Sequence, residues 1–327
     1  MASATEPAQL ADRLQLLDQL AAEQGIRLEG DVALGPLTTL RVGGVADRLA
    51  EVRTVDELVA ALELARVAGV PAGVLGKGSD IVVADAGVRG LVIRNRTDTI
   101  VLDGPMVRAE SGAAMATLVK RCTAAGLAGI EFGISIPGSV GGAVWANAGA
   151  HDGEMKDVVV SVDAWSPAGG GSMVPNAECA FAYRDSRFKA GSEIVLGTVL
   201  RLTAGDPAEI AARVGAHQAQ RKATQPLADQ NAGSVFRNPP GDHAGRLIDA
   251  AGLKGFRVGS AQVSALHANF IVVDRGGAAA DVRALGDHVR AVVADAHLLE
   301  LQYEIEFVGD WGSAERWATP TGRLVGA

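Results

Sequence analysis

One short run of the sequence concentrates side chains that could bind a carboxylate. Residues 183–189 read Tyr-Arg-Asp-Ser-Arg-Phe-Lys, so three cations, a serine and two aromatic residues lie within seven positions. An arginine in such a run can hold a carboxylate through two parallel hydrogen bonds. A solvated surface turn has a similar composition, so the run by itself leaves both interpretations open.

Two later segments carry groups that could take part in acid–base chemistry. Ser234 follows a turn of small residues, and no Gly-x-Ser-x-Gly motif surrounds it, which argues against a hydrolase nucleophile. Apolar and polar residues alternate over residues 301–309, which predicts a strand with Glu304 and Glu306 on one face. That face could equally be exposed to solvent. The six histidines show no metal-ligand spacing, so no metal site is predicted; His267 could contact a ligand or form a hydrogen bond at the edge of the core.

Two glycine-rich segments could bring the backbone close to a ligand. The turn Gly-Lys-Gly-Ser-Asp at residues 76–80 has small residues that would let amides approach a pyrophosphate. It is not a Rossmann fingerprint, because Ile81 stands where the third glycine would be, and it is not a P-loop. An ordinary tight turn is the alternative.

The second glycine-rich segment lies within residues 132–150, which contain no ionisable side chain. The length would suffice to cross a bilayer, but Pro137, Asn147 and five glycines predict irregular backbone that lipid cannot satisfy. Residues 136–143 are therefore either the cradle of a cofactor or the core of a hairpin.

The surrounding pattern predicts an α+β fold. Helices are predicted at 6–24, 54–69, 113–125 and 279–298, and strands at 73–75, 80–83, 193–202 and 301–309. Asp206 and Pro207 suit the N-cap and first position of a helix that opens a new domain. The predicted organisation is a helical segment at 1–30, a domain at 31–205 with subdomains that divide near residue 100, a C-terminal domain at 206–310, and a tail at 311–327.

The composition is that of an ordinary globular protein. The 327 residues are 48% hydrophobic and 21% charged, which allows two or three domains with cores of their own. The net charge of -8 offers no basic patch for nucleic acid or a membrane surface. Cys122 and Cys179 are predicted to be buried thiols, and without a signal peptide they indicate the cytoplasm.

Taken together and in order, these segments resemble the UDP-N-acetylenolpyruvoylglucosamine reductase (MurB) family. The resemblance runs from about Leu37 to about Gly309. The segments that carry it are Thr-Leu-Arg-Val-Gly-Gly at 39–44, the turn at 76–80, residues 136–149, residues 183–189, residues 232–239 and the segment around Glu304.

The resemblance implies a fold and a reaction. It implies an FAD-binding domain of the vanillyl-alcohol-oxidase (PCMH) type, built of two α+β subdomains, and a C-terminal α/β domain that holds a nucleotide sugar. FAD would be bound without a covalent link, NADPH would reduce it, and flavin N5 would pass hydride to the enolpyruvyl ether of UDP-N-acetylglucosamine in bacterial peptidoglycan synthesis. No obligate protein partner is implied.

The same resemblance implies roles for particular residues. Arg184 and Glu304 would polarise the enolpyruvyl carboxylate and stabilise an enolate-like intermediate, and Ser234 would donate the proton. The residues implied at the UDP-sugar site are Tyr183, Arg221, Asn238, Lys254 and His267. The residues implied at the cofactor are Arg41, Gly76, Lys77, Gly78, Ser79, Asp80, Ile136, Pro137, Gly138, Ser139, Gly142, Ala143, Asn147 and Gly149.

The sequence also departs from the family pattern. Asp80 stands where the family usually has asparagine, Lys77 replaces a common glycine, and Glu306 occupies a usually basic position. An ionised Asp80 would repel a pyrophosphate. The few residues between Lys189 and Glu193 leave no room for an inserted tyrosine-bearing loop, which indicates the shorter subgroup of the family.

Two other functions stay open. One is a flavin oxidase of the same cofactor fold that acts on another substrate. The other is a flavin or nucleotide-sugar binding module without catalysis, although the joint presence of Arg184, Ser234 and Glu304 argues against it.

Overall fold

The computed structural model describes residues 5–312, which form three α+β units. The first unit, residues 5–95, contains α1 (Thr5–Glu23), β1 (Glu29–Ala33), β2 (Val45–Val52), α2 (Val55–Ala68), β3 (Ala72–Leu75), β4 (Ile81–Val83) and β5 (Val88–Asn95). Its sheet has the order β1-β2-β5-β3, in which β1 is antiparallel to β2 and the other pairs are parallel. The turn at residues 76–80 leaves the end of β3 and leads into β4.

The ends of α2 follow from local sequence. The Thr54 hydroxyl accepts a hydrogen bond from the Glu57 amide, and the Glu57 carboxylate accepts one from the Thr54 amide, so both halves of a capping box are present. Gly69 ends the helix with φ of 66°, a left-handed conformation that suits glycine. The first two predicted helices are confirmed.

The second unit, residues 100–204, is built on a five-stranded antiparallel sheet of order β12-β11-β13-β7-β6. Its elements are β6 (Ile100–Asp103), β7 (Met106–Glu110), α3 (Met115–Ala124), β8 (Leu127–Ala128), α4 (Val140–Trp145), β9 (Gly149–Ala150), β10 (Gly153–Glu154), α5 (Met155–Val158), β11 (Val159–Ser166), β12 (Gly170–Pro175), α6 (Arg187–Ala190), β13 (Ile194–Arg201) and β14 (Thr203–Ala204). Helix α3 and strand β13 confirm the predictions at 113–125 and 193–202. Cys122 and Cys179 are buried free thiols, as predicted.

Most of the uncharged segment 132–150 is buried, and residues 136–143 lead into a helix rather than forming the core of a hairpin. The segment passes through a 3-10 turn at Glu131–Ser135 and the short helix α4, all six residues of which are buried. A β-carbon at Gly141 would lie 2.7 Å from the β-carbon of Ser111, so only glycine lets α4 pack this closely. Within residues 5–312, no helix is both long and apolar enough to cross a membrane.

The third unit, residues 207–308, carries a four-stranded antiparallel sheet of order β15-β18-β17-β16. Its elements are α7 (Pro207–Thr224), β15 (Gln230–Ser234), α8 (Ala244–Ala250), β16 (Arg257–Val258), β17 (Ala261–Val263), β18 (Phe270–Val273), α9 (Ala279–His297) and β19 (Glu306–Val308). The Asp206 carboxylate caps α7 by accepting a hydrogen bond of 2.7 Å from the Ala208 amide, as predicted. Helix α9 confirms the prediction at 279–298.

Helix α7 contacts the second unit, although the sequence predicts that it opens the C-terminal domain. It packs against α3 and the 3-10 turn, and the Arg213 guanidinium pairs with Glu131 at 2.7 Å. The sheet of the third unit begins only at Gln230. The domain boundary at 206 therefore stays a prediction.

The predicted strand at 301–309 was too long. Only β19 is regular, and it pairs in parallel with β4 of the first unit. In the preceding residues the amides of Glu304 and Ile305 both approach the Val235 carbonyl, at 2.8 and 3.5 Å, so no regular ladder forms there. Of the tail predicted at 311–327, residues 313–327 lie outside the described part of the chain.

An aspartate of the first unit caps a helix of the third. The Asp85 carboxylate accepts hydrogen bonds of 2.9 Å from the amides of Ala279 and Ala280, at the first turn of α9. We expect Asp85→Ala to lower the free energy of unfolding by about 0.5–2 kcal/mol, because two amides at a helix N-terminus lose their acceptor. Asp85→Asn should retain most of the stability. Urea unfolding of both variants tests this, and equal midpoints for the wild type and the alanine variant would contradict it.

Candidate active site

The three units meet at a cavity of about 350 Å³. It is lined by residues from both glycine-rich segments, from the run at 183–189, from α7 and from β15. The predicted site residues that line it are Ser79, Asp80, Ile136, Pro137, Gly138, Gly142, Ala143, Gly149, Arg184, Arg221, Ser234 and Glu304. A smaller cavity of about 30 Å³ shares Gly142 with the first and is lined by Gly76 and Ser139.

Arg184 and Glu304 form an ion pair across the boundary between the second and third units. Arg184 Nε lies 2.8 Å from Glu304 Oε1, and Arg184 Nη2 donates to the Gly149 carbonyl at 2.9 Å. The guanidinium also lies 5.0 Å from the ring centre of Tyr183. Burial raises the pKa of Glu304, and the charge and hydrogen bond of Arg184 oppose that rise. Glu304 lines the cavity and is half-buried there.

The local backbone holds Arg184 in an unusual conformation. Its φ is 55°, in the left-handed region that few residues other than glycine adopt. The residues on either side form an isolated bridge between Ala182 and Asp185, which closes the turn around Arg184. The surrounding structure thus maintains a strained backbone that directs this side chain at Glu304.

Ser234 reaches the cavity through an irregularity in β15. The register between β15 and β18 shifts between Asn231 and Ser234, and Gly233 has φ of 77°. The Asn231 side chain fixes the irregularity by accepting a hydrogen bond of 3.0 Å from the Gly233 amide. Such a bulge re-aims the side chain that follows it, which here is the half-buried Ser234.

The two glycine-rich segments lie against each other with free amides. A β-carbon at Gly138 would come within 3.2 Å of Ser79 Oγ. Within residues 5–312, the amides of Lys77, Gly78, Ser79 and Gly138 form no hydrogen bond. Buried amides are nearly always paired, so this arrangement fits a bound phosphate group that accepts from them. The smaller cavity extends the site between the first two units.

A cationic group flanks the same turn. Burial lowers the pKa of Lys77, and the guanidinium groups of Arg96 and Arg94 lower it further. Arg94 and Arg96 share the carboxylate of Glu51 as a partner, at 3.1 and 3.9 Å. This local positive charge could offset the charge of a phosphate despite the negative charge of the whole chain.

Two family models match separate parts of the chain. The model of the C-terminal domain of UDP-N-acetylenolpyruvoylglucosamine reductase matches residues 225–308, and that of an FAD binding domain matches residues 46–171. UDP-N-acetylenolpyruvoylglucosamine reductase 2 of Symbiobacterium thermophilum is 44% identical over 278 residues, which are 84% of this chain and 89% of that relative. The chain belongs to the MurB family.

Further relatives support the assignment to the MurB family. A UDP-N-acetylenolpyruvoylglucosamine reductase of Synechococcus is 40% identical over 295 residues, 89% of this chain and 97% of the relative. The crystal structure of MurB from Thermus caldophilus superposes with a TM-score of 0.76 at 38% identity and covers 86% of this chain and 99% of that one. The predicted α+β flavin-binding fold and the FAD cofactor are thereby confirmed.

Of the residues that the MurB resemblance assigned to the UDP-sugar site, only Arg221 lines the cavity. The Tyr183 hydroxyl accepts from the Asn238 amide at 3.3 Å, and Asn238 Oδ1 accepts from the Ala244 amide at the start of α8. Lys254 pairs with Asp249 at 2.8 Å. Burial lowers the pKa of His267, and the charge of Lys254 lowers it further.

Four of the residues predicted to contact the cofactor line neither cavity: Arg41, Lys77, Gly78 and Asn147. Asn147 is fully buried, and its amide group donates to Glu154 Oε2 at 2.9 Å and to the Ala182 carbonyl at 2.8 Å. Its Oδ1 accepts from the Lys156 amide. Other parts of the chain thus pair with the polar atoms of this side chain, and its contact with the cofactor stays a prediction. The side chain of Arg41 is exposed, and its predicted contact with the cofactor stays a prediction.

The sequence analysis missed His151, which lines the cavity, and gave Lys189 only as one cation of the run at 183–189. Lys189 pairs with Glu306 at 2.6 Å and lies 4.4 Å from the ring of Trp145. The rings of His151 and His217 stack with centres 3.8 Å apart, and the Ser135 hydroxyl is 2.8 Å from His151 Nε2.

The helical spacing of polar residues in α7 could have indicated two further cavity residues, Gln220 and Thr224. His217, Gln220, Arg221 and Thr224 recur at intervals of three and four residues, which places polar side chains on one face of α7. Within the described residues, no group of three or more histidine, cysteine, aspartate or glutamate side chains could hold a metal ion.

Proposed function

We propose that this chain reduces the enolpyruvyl ether of UDP-N-acetylglucosamine with NADPH, and that Arg184, Glu304 and Ser234 are its catalytic residues. The observation that carries the proposal is the convergence of these three side chains on one cavity. They come from α6's preceding turn, from the segment before β19 and from β15, and both glycine-rich segments line the same cavity. Family membership supplies the reaction, and this geometry supports the assignment of roles.

The cavity offers backbone amides for the phosphates of the cofactor and uncharged residues for its ring system. The free amides of Ser79 and Gly138 would donate hydrogen bonds to its phosphates, and the uncharged lining at Gly142, Ala143 and Ala146 suits a flat aromatic ring. Bound FAD supplies a carrier that takes hydride from NADPH and gives it to the substrate.

Arg184 and Glu304 would act on the carboxylate of the enolpyruvyl group. Because Nε of Arg184 is bound to Glu304 and Nη2 to the Gly149 carbonyl, the guanidinium has a fixed orientation before substrate arrives. A preorganised cation stabilises the negative charge that develops next to the carboxylate when hydride adds. The raised pKa of Glu304 makes its protonation easier, which would let it share a proton with the substrate carboxylate.

Ser234 would supply the proton that completes the reduction. Its hydroxyl lines the cavity, and hydride addition creates a strongly basic carbon. A donor of high pKa can serve such a carbon if it is held within reach. The location in the cytoplasm and the lack of an obligate protein partner belong to the same proposal.

The decisive experiment follows the colour of the purified protein. It should be yellow, should bleach anaerobically with NADPH, and should regain colour with the enolpyruvyl nucleotide sugar. Bleaching without recovery by that substrate would favour a flavin oxidase with another substrate. A yellow protein that NADPH does not bleach would favour a binding module.

We expect FAD to be bound without a covalent link. Cys122 and Cys179 are the only cysteines of the sequence, both are buried, and burial raises the pKa of each thiol to about 11. Such thiols are protonated at neutral pH and are poor nucleophiles. Acid precipitation should release all of the flavin into the supernatant. Yellow colour that stays with the washed pellet would contradict this prediction.

A further inference from the structure

Asp80 lines the cavity and, among the described residues, forms no ion pair. Oδ1 of its carboxyl is buried without a hydrogen-bond partner among residues 5–312. The charged groups that face it are Glu306 of β19, Lys189 of α6 and Glu304. Both nearby cations are already engaged, because Lys189 pairs with Glu306 at 2.6 Å and Arg184 pairs with Glu304 at 2.8 Å.

An ionised carboxylate in this position would be unfavourable. It would be buried beside two other acids, and a dinucleotide with two negatively charged phosphates would bind to the adjacent amides of the same turn. A buried carboxyl without a partner cation usually takes up a proton instead. Burial, and after it the charge of Glu306, raises the pKa of Asp80 to about 7, although Lys189 and the Asp80 amide act in the opposite direction.

We propose that Asp80 binds the flavin dinucleotide as a neutral carboxylic acid, whose O–H donates a hydrogen bond to an acceptor atom of the cofactor. Loss of this proton removes the donor and leaves a negative charge in the cavity. The flavin is therefore held firmly only while Asp80 is protonated. This inference rests on the proposed function only in taking the cofactor to be FAD.

The direction of the pH dependence follows from proton linkage. Because the complex holds a proton that the free protein loses above about pH 7, affinity for the flavin falls as the pH rises through that value. One linked proton changes the affinity about tenfold per pH unit. Below pH 6 the carboxyl is protonated in either state, so the dependence disappears.

The test uses the holoprotein and measures flavin release rather than turnover. Yellow protein at pH 6 is diluted into buffers between pH 6 and 9 at constant ionic strength, and the rise in flavin fluorescence reports dissociation. We expect release from the wild type to accelerate up to about tenfold per pH unit above pH 7. Release from Asp80→Asn should be slow at every pH, because an amide keeps a donor and has no proton to lose.

Two further variants separate this explanation from general effects of charge. Glu306→Gln removes a negative neighbour of Asp80 and frees Lys189, so the acceleration should begin at lower pH. Asp103→Asn removes an exposed acid of the second unit and should behave as the wild type does. If Asp80→Asn does not fold, the shift in Glu306→Gln still tests the proposal.

The proposal is overturned if release from the wild type is independent of pH between 6 and 9. It is also overturned if flavin release from Asp80→Asn accelerates with pH as release from the wild type does. The same holds if Glu306→Gln leaves the pH dependence of flavin release unchanged. These results leave the proposed function intact, because the latter depends on bleaching by NADPH and recovery by the substrate. A protein that holds no flavin at any pH would contradict both.

Discussion

Arg184→Lys is expected to lower turnover about a hundredfold to a thousandfold while the flavin stays bound. The guanidinium uses two of its nitrogens inside the protein, Nε on Glu304 and Nη2 on the Gly149 carbonyl. A lysine ammonium keeps the charge but cannot reproduce this fork, so it leaves one of these partners unpaired and cannot hold a carboxylate in two parallel bonds. Steady-state kinetics with the flavin content measured alongside gives the result.

A matched control makes the same arginine-to-lysine substitution at a position outside the cavity. Arg108→Lys alters an exposed arginine of the second unit that pairs with Asp163 at 3.2 Å. We expect near wild-type turnover there, because an exposed ion pair contributes little. Near wild-type turnover in Arg184→Lys would remove Arg184 from the reacting groups.

Ser234→Ala should slow one half of the reaction and leave the other nearly unchanged. If the hydroxyl donates the proton that follows hydride addition, reduction of the flavin by NADPH does not need it. Reoxidation of the flavin by the enolpyruvyl substrate does need it and should slow about a hundredfold or more. Ser234→Cys should recover part of the loss, because a thiol can also donate a proton.

Stopped-flow absorbance of the flavin measures the two halves separately. Ser172→Ala, which changes an exposed serine on β12, serves as the control and should leave both halves unchanged. Equal slowing of both halves in Ser234→Ala, or no slowing of the second, would mean that Ser234 is structural and that the donor lies elsewhere.

Local sequence was sufficient for the elements whose ends it encodes. Thr54 with Glu57, and Asp206 with Pro207, form the caps that their types and spacing predict, because these hydrogen bonds join residues only a few positions apart. Which side chains meet in the site was harder to predict. Sequence order alone does not show that the Arg184 guanidinium meets Glu304, 120 residues away along the chain.

The wrong prediction of a long strand has a physical cause. The alternation of apolar and polar residues over 301–309 predicted one continuous strand. The amides of Glu304 and Ile305 instead both donate to the Val235 carbonyl, which is a tertiary contact. These hydrogen bonds join residues that are far apart in the sequence and outweigh the local pattern, and a single sequence does not reveal such bonds.

The pairing of β4 with β19 sets an order for events during synthesis of the chain. Strand β4 is buried and apolar, and within the described residues β19 is its strand partner. A ribosome makes the residues of β4 more than two hundred positions before those of β19. During that interval the nascent first unit presents an unpaired apolar edge, the kind of surface that invites association with other chains. Because Glu304 arrives only two residues before β19, the burial of that edge and the supply of a partner to Arg184 belong to the same late step of biogenesis.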